Sequence, residues 1–461
     1  MKKRIRIIGT LFLSFVMLGG GNIGAQNSEN KTFFDNENTK EILRLDLKTA
    51  LFIAHNNNPT LQVADLEIQR VDYSRKETMG SLLPSVSATG QYTNNVMKSV
   101  MFMPASMSAM MGGASYMEIG YKNSYTATIS AQMPIVNFAL WESLKSKQVD
   151  IDLIIEKARS SSLDMTKQVK DAYYGVLLAN ASLKVLEQSI NNAKEALKTT
   201  KAAYEHGVSS EYDYLRAQVQ VNNLNPTYIN AKNGVDLAIL QLKMLLSLPE
   251  TQEVEVTESL QDYENNFSLL NEFESNRTLV SNTELRQLDL NIASLRHNLK
   301  MIKYQHLPSL AAFGQYSYLT QAEDFKVSDY KWVSSAMVGL TLSIPIFKGN
   351  TVVNKQKQIE LSLKELQLQR NYLSVGKDIQ IQSTLKSMNA AKQQLIVNKQ
   401  AIVQAERGYQ IAKVRYSTGS GTILELNDSE LALTQSRLNY QQAIYDYLSA
   451  QSNYEKVVGR E

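Results

Sequence analysis

The chain has 461 residues, with 48 Lys and Arg against 45 Asp and Glu, 43% hydrophobic residues and no cysteine. Four of the basic residues, Lys2, Lys3, Arg4 and Arg6, crowd the N-terminus; without them 44 basic residues face 45 acidic ones, so no basic surface is left to argue for nucleic acid. The missing cysteines exclude disulfide staples and a lipid-modified cysteine anchor, so the fold must hold by packing.

Residues 1–25 read as an export signal. The basic n-region precedes an apolar run from Ile7 to Leu18, and small residues up to Ala25 offer a cleavage site. The mature chain is then expected to begin near Gln26, with residues 26–44 as an N-terminal extension. Beyond the signal no apolar run approaches the ~20 residues of a spanning helix, so any entry into a membrane must use strands.

A first structural repeat is expected over residues 45–248. A helical segment ends at Leu83-Pro84, and strict alternation follows: Val86, Ala88, Gly90 and Tyr92 against Ser85, Ser87, Thr89 and Gln91. This predicts a strand at about 84–93. MKSVMFMPASMSAMMGG comes next, and seven of the chain's 16 methionines fall between Met97 and Met117. A second alternating run predicts a strand at about 124–134, with Tyr125, Ala127, Ile129, Ala131 and Met133 on one face. From Phe138 to Glu205 there is no proline and one glycine, so about 67 residues of helix, ~100 Å long, are expected. A glycine-bearing tip at about 204–211 turns the chain into a returning helix, 211–248, which Pro226 is expected to kink.

After a linker or equatorial segment, 249–278, the pattern returns over 279–459. Residues 58–93 align without a gap to 282–317: Leu83-Pro84-Ser85 matches Leu307-Pro308-Ser309, and Gly90-Gln91-Tyr92 matches Gly314-Gln315-Tyr316. Strands are predicted at about 308–318 and 332–345, the latter with Trp332, Ala336, Val338, Leu340, Leu342 and Ile344 on one face. A second long helical run leads to a tip at about 416–423. RYSTGSGTILELNDSE, 415–430, matches AYEHGVSSEYDYLRAQ, 203–218. Four of the eight prolines, Pro84, Pro134, Pro308 and Pro345, are placed at helix–strand junctions. A repeat this long is a duplicated half-molecule rather than a solenoid unit.

Period-two strands of about ten residues suit a barrel with lipid on one side and water on the other, although a soluble hairpin with one buried face shows the same alternation. Four strands cannot close a barrel, and open edges are not tolerated in hydrocarbon, so a membrane reading requires several copies.

The duplication, the LP-strand and strand-PIF junctions, Asn56-Asn57-Asn58-Pro59 and the repeated Tyr-x-x-Gly turn together resemble the TolC-like outer-membrane efflux family over roughly residues 45–459. The resemblance implies a mainly α protein with membrane β. Long helical hairpins would form a periplasmic α-barrel, and four strands per chain would complete a trimeric 12-stranded outer-membrane β-barrel. It implies a homotrimer in the outer membrane of a Gram-negative cell, in contact with lipid, docked to a periplasmic adaptor and an inner-membrane transporter. The function implied is the exit duct of a tripartite efflux or type I secretion system, opened at its periplasmic tip. A structural or adhesive envelope protein, with the hairpins as spacers, is the alternative.

By position, Glu425 and Asp428 fall where the family's constricting acids lie, and Asp213 falls where a carboxylate meets the tyrosine matching Tyr416. Tyr204, Gly207, Gly419 and Gly421 belong to the tip turns and to adaptor docking. Gly421 stands where relatives carry an arginine of the closing network, so a looser or differently bonded lock is expected. Glu425 and Asp428 also fit a plain solvated first turn on a helix dipole.

The four histidines, His55, His206, His297 and His306, are scattered, and TGSGT at 418–422 lacks the lysine of a phosphate loop. No enzyme, cofactor, metal or nucleic-acid partner is expected. The methionine stretch joins the first two strands at the end remote from the helices, where Met101, Met103, Met107, Met110 and Met111 are read as an apolar lid over the outer mouth rather than a copper or silver site.

Overall fold

The computed structural model describes residues 42–104, 106, 115–268, 281–326 and 329–460. The expected signal, most of the N-terminal extension, and Met107, Met110 and Met111 lie outside the described residues. In chain order the elements are β1 (Leu43–Leu45), α1 (Leu47–Asn57), α2 (Pro59–Gly80), β2 (Ser85–Asn94), β3 (Ser99–Phe102), β4 (Tyr116–Ile119), β5 (Asn123–Val136), α3 (Phe138–Glu205) and α4 (Glu211–Leu246). There follow β6 (Val254–Val256), a 3-10 helix (Leu260–Ser268), α5 (Thr283–Tyr304), β7 (Ser309–Ala322), β8 (Val333–Ser343), α6 (Thr351–Ser417) and α7 (Ile423–Val458).

The two long helices, α3 of 68 residues and α6 of 67, each extend ~100 Å at 1.5 Å per residue. Each folds back on a shorter partner, α3 on α4 and α6 on α7. Apart from α6, the helix starts carry side-chain caps: Asp46, Asn58, Asn137, Ser210, Asn282 and Thr422 each accept a first-turn N–H. α4 runs on through Pro226. Pro226 lacks the N–H that would close one bond of this helix. Among the described residues no helix is long and apolar enough to cross a membrane.

Residues from both halves form the main core. Tyr173, Leu242, Leu246, Met388, Ile444 and Tyr447 are fully buried there, with Leu45 and Leu260 closing it. β1 pairs in parallel with β6, so segments over 200 positions apart are stitched across this core. Glu258 completes the stitch. Its carboxylate accepts the Tyr173 and Tyr263 hydroxyls at 2.7 Å each and the Leu47 N–H at 3.3 Å.

At the other end, β2, β5, β7 and β8 form a four-stranded antiparallel sheet in that order. Its register gathers the alternating sets on opposite faces. Ala88 lies opposite Ile129, Ile129 opposite Tyr316 and Tyr316 opposite Ala336 on the apolar face. On the other face Ser87 and Ser130 share a hydroxyl bond of 2.9 Å, and Thr128 and Ser317 one of 3.1 Å. Pro134 sits inside β5, two residues before its end, where a register shift between Pro134 and Val136 absorbs the missing donor. β3 and β4 form a separate hairpin beyond the sheet.

Candidate functional site

Two regions of the molecule bear on function: the sheet with its bare edges, and the paired turns at the far end of the helical hairpins.

The edges of the sheet are β2, exposed at every residue, and β8, exposed at all but one. They run in opposite directions, so β8 of one copy and β2 of the next can continue the antiparallel ladder. Aromatic rings bracket the apolar face. Tyr92 lies 5.0 Å from Tyr125 and Tyr318 stacks on Trp332 at 5.0 Å on the loop side; Phe138 lies 6.2 Å from Tyr304 on the helix side. An apolar band flanked by aromatic rings is the pattern that the outer surface of a transmembrane β-barrel carries. The nine steps from Tyr125 to Pro134 cover ~30 Å at 3.3 Å per residue, enough to span hydrocarbon.

At the other end, the two turns share one backbone frame. Gly207 and Gly419 both take positive φ, +72° and +71°. The carbonyls of Ala203 and Arg415 accept N–H groups five residues on, from Val208 at 2.8 Å and Ser420 at 2.9 Å. This is the left-handed helix ending that glycine permits. Tyr204 stacks on Tyr214 at 5.6 Å, closing the first turn. A small core of Ala217, Tyr409, Ile423, Leu426 and Leu433 joins the hairpins just above, with Tyr416 against it.

Asp213 and Tyr416 do not meet within the chain. Ser210 Oγ donates to the Asp213 carboxylate at 2.7 Å and accepts its N–H at 3.1 Å, with Ser209 Oγ at 3.3 Å. The S-x-x-D spacing is a reciprocal helix cap, and it holds the carboxylate on its own turn. The Tyr416 hydroxyl reaches the buried Thr200 Oγ1 on α3 at 2.6 Å. Thr200 spends its own hydrogen on the Ala196 carbonyl at 2.8 Å, so Tyr416 is the donor. The tyrosine thus ties the second hairpin to the first through a threonine that carries no sequence motif.

The second turn is organised by Arg415. Its carbonyl also accepts the Gly421 N–H at 2.9 Å, and its guanidinium lies 3.5 Å from Glu425 Oε2. A Cβ on Gly421 would stand 3.0 Å from Arg415 Cβ, 3.2 Å from its carbonyl carbon and 3.2 Å from Glu425 Oε2. Gly421 therefore makes room for the arginine and carboxylate to approach. Arg415 escaped the motif reading, yet it aligns with Ala203 in otherwise matching turns. We expect Gly421→Ala to crowd this turn by about 1–2 kcal/mol. The check is amide exchange at Ser420 and Gly421, which should quicken about tenfold; unchanged protection would show that the turn tolerates the methyl group.

Glu425 and Asp428 are both exposed and three residues apart on one face of α7. Glu425 has Arg415; Asp428 has no hydrogen-bond or ion-pair partner among the described residues. Glu430 points the other way, buried against Ser189 Oγ at 2.9 Å and Asn192 Nδ2 at 3.3 Å. Beside Asp428 an open groove of about 530 Å³ runs between α4 and α7, lined by Tyr212, Leu215, Arg216 and Leu431 among others. At the opposite pole Met101 lies on β3, and Met103 follows it.

The outer membrane efflux protein profile matches residues 51–247 and 275–460, one match for each half. The outer membrane protein TolC of Vibrio cholerae is 24% identical over 339 residues, covering 70% of this chain and 76% of that protein. The alkaline protease secretion protein AprF of Pseudomonas aeruginosa is 25% identical over 345 residues, 71% of this chain and 68% of its own length. Among solved structures, the Campylobacter jejuni CmeC outer membrane channel superposes with a TM-score of 0.68 at 16% identity, covering 90% of this chain and 85% of its own. VceC of Vibrio cholerae gives 0.68 at 14% identity, covering 90% and 96%.

Proposed function

This chain belongs to the outer membrane efflux protein family, and we propose that copies of it assemble into a passive exit duct that is gated at the hairpin tips. Its place is the outer membrane, with the helical hairpins on the periplasmic side. Three copies would contribute 12 strands, a closed barrel of even strand number; the helices of the same copies would continue the conduit inward. The observation that carries this reading is the sheet itself: an apolar face between aromatic girdles, bounded by two bare edges of opposite direction. Such edges are untenable in lipid unless other copies cover them.

A spacer protein would need the hairpins but not a girdled sheet with complementary edges. The exposed tip groove between α4 and α7 fits the docking of a periplasmic adaptor, whose coupling to an inner-membrane transporter would supply the energy. The family name and a relative named for alkaline protease secretion support two forms for this duct, efflux and secretion of the type I kind.

Single-channel recording in planar bilayers tests the reading. The purified protein is expected to give a small cation-selective conductance. Tyr416→Phe deletes the hydrogen bond to Thr200, about 1 kcal/mol net, and should shift the tip roughly five-fold toward open per copy. Larger conductance in Tyr416→Phe supports the duct; silence in both proteins favours the spacer.

A further inference from the structure

The β3–β4 hairpin has two unlike faces. Ser99 lies opposite Ile119, Val100 opposite Glu118, Met101 opposite Met117 and Phe102 opposite Tyr116. The ladder goes one step further, with the Met103 N–H donating to the Ser115 carbonyl at 3.1 Å. Because side chains alternate, Val100, Phe102, Tyr116 and Glu118 share one face, where with Lys98 they line an open cavity of about 640 Å³. The other face carries Ser99, Met101, Met103, Ser115, Met117 and Ile119. It holds no charge and no aromatic ring.

Three thioethers therefore sit together. Met101 and Met103 are two residues apart on one strand, ~6.7 Å along it. Met117 is directly across from Met101, with Cβ atoms ~5 Å apart. Methionine is unbranched, with three rotatable bonds, so all three sulfurs can converge on one ion. Burial does not explain the grouping. Among the described residues no other element packs closely over the hairpin, and Met101 and Met117 are 53% and 42% exposed. An apolar role would be served better by the aliphatic and aromatic residues of the opposite face. The base of the hairpin is held, since Lys98 pairs with Glu323 at 2.6 Å beside the β7–β8 loop.

We propose that Met101, Met103 and Met117 form a site for a soft monovalent cation, Cu(I) or Ag(I). Thioether sulfur is a soft, neutral donor that selects such ions over Zn²⁺ or Mg²⁺, which need imidazole, thiolate or oxygen ligands. The chain has no cysteine, and its four histidines, His55, His206, His297 and His306, lie on or beside the helices. Spacing along the sequence reads Met101 and Met103 as part of an apolar lid; cross-strand register brings Met117 to Met101 and gives the three a common face. The site is independent of the duct, because it needs only the hairpin.

Silver is the probe, being a redox-inert stand-in for Cu(I). Full-length protein carrying ¹³C-methyl methionine is titrated with silver nitrate in chloride-free buffer. One ion per chain is expected, shifting the methyl signals of Met101, Met103 and Met117, while zinc leaves them in place. Met101→Leu with Met117→Leu should weaken binding by about 100-fold, a factor of ten per thioether lost. Met97→Leu, which lies off the paired face, and the triple change Met107→Leu, Met110→Leu, Met111→Leu should each keep it. Absence of silver binding to the unaltered protein overturns the site. So does binding that survives Met101→Leu with Met117→Leu, or that is lost in either control. The methyl shifts of the unaltered protein decide the matter even if a variant folds poorly.

Discussion

Replacing Asp428 with Asn is expected to remove most of the cation preference of the proposed duct, while Glu425→Gln changes it little. Position alone ranks the two acids equally, since both fall in the first turns of α7 on one face. Their surroundings separate them. The Arg415 guanidinium lies 3.5 Å from the Glu425 carboxylate and offsets its field, whereas Asp428 keeps its whole charge. A unit charge ~8 Å from a permeating ion contributes ~0.5 kcal/mol in water and ~2 kcal/mol at an effective dielectric near 20. Three such charges, taken at the lower figure, give ~1.5 kcal/mol, about a tenfold preference for cations. The effect should be largest at low salt, where the Debye length is longest. Reversal potentials under a salt gradient measure it. Arg415→Ala supplies the opposite sign: freeing Glu425 should raise cation preference. If Glu425→Gln and Asp428→Asn cost the same, the guanidinium is not screening Glu425 and the ranking fails.

What the sequence disclosed, and what it withheld, follows from the range of the interactions. Alternation in Val86, Ala88, Gly90 and Tyr92 is a local property, and the sheet places these residues on one face because period two permits nothing else. The fold class was legible for that reason and because the second half repeats the first. Gly207 and Gly419 were legible as turns, since a left-handed helix ending asks for glycine in any context. The bond from Tyr416 to Thr200 was not. It depends on how two hairpins lie against each other, and Thr200 is one of several threonines on α3 with no pattern of its own. Within one chain Asp213 bonds to Ser210, a local cap legible in the Ser210-x-x-Asp213 spacing. Leu43–Leu45 and Val254–Val256 are too short to leave a period, so their pairing across the main core had no sequence signature. Arg415 left a trace only as the residue facing Ala203 in the aligned turns.

The stitch around Glu258 sets the second large effect. Tyr173→Ala should destabilise the helical body by about 3–5 kcal/mol, the range for emptying a buried aromatic site. Tyr173→Phe should cost less, about 1.5–3 kcal/mol, because it keeps the ring and removes one hydrogen bond to a carboxylate. Both are read from the thermal midpoint of helical circular dichroism. The same cluster predicts a response to alkali. Burial first, and the bond to the Glu258 carboxylate second, push the Tyr173 and Tyr263 hydroxyls well above the ordinary tyrosine value of 10.0. Tyr440 shifts the same way, by burial and then by its bond to Glu264. In the unfolded chain these phenols lose their protons near pH 10, while in the folded protein they keep them. Above pH 10 the native state then binds more protons than the unfolded state, so stability falls as pH rises. Below pH 10 both states are protonated, and this contribution is constant. The expected curve is a plateau that bends downward above pH 10, and the bend should be shallower in Tyr173→Phe with Tyr263→Phe. A decline of equal slope in that variant would place the alkaline weakness outside the Glu258 cluster.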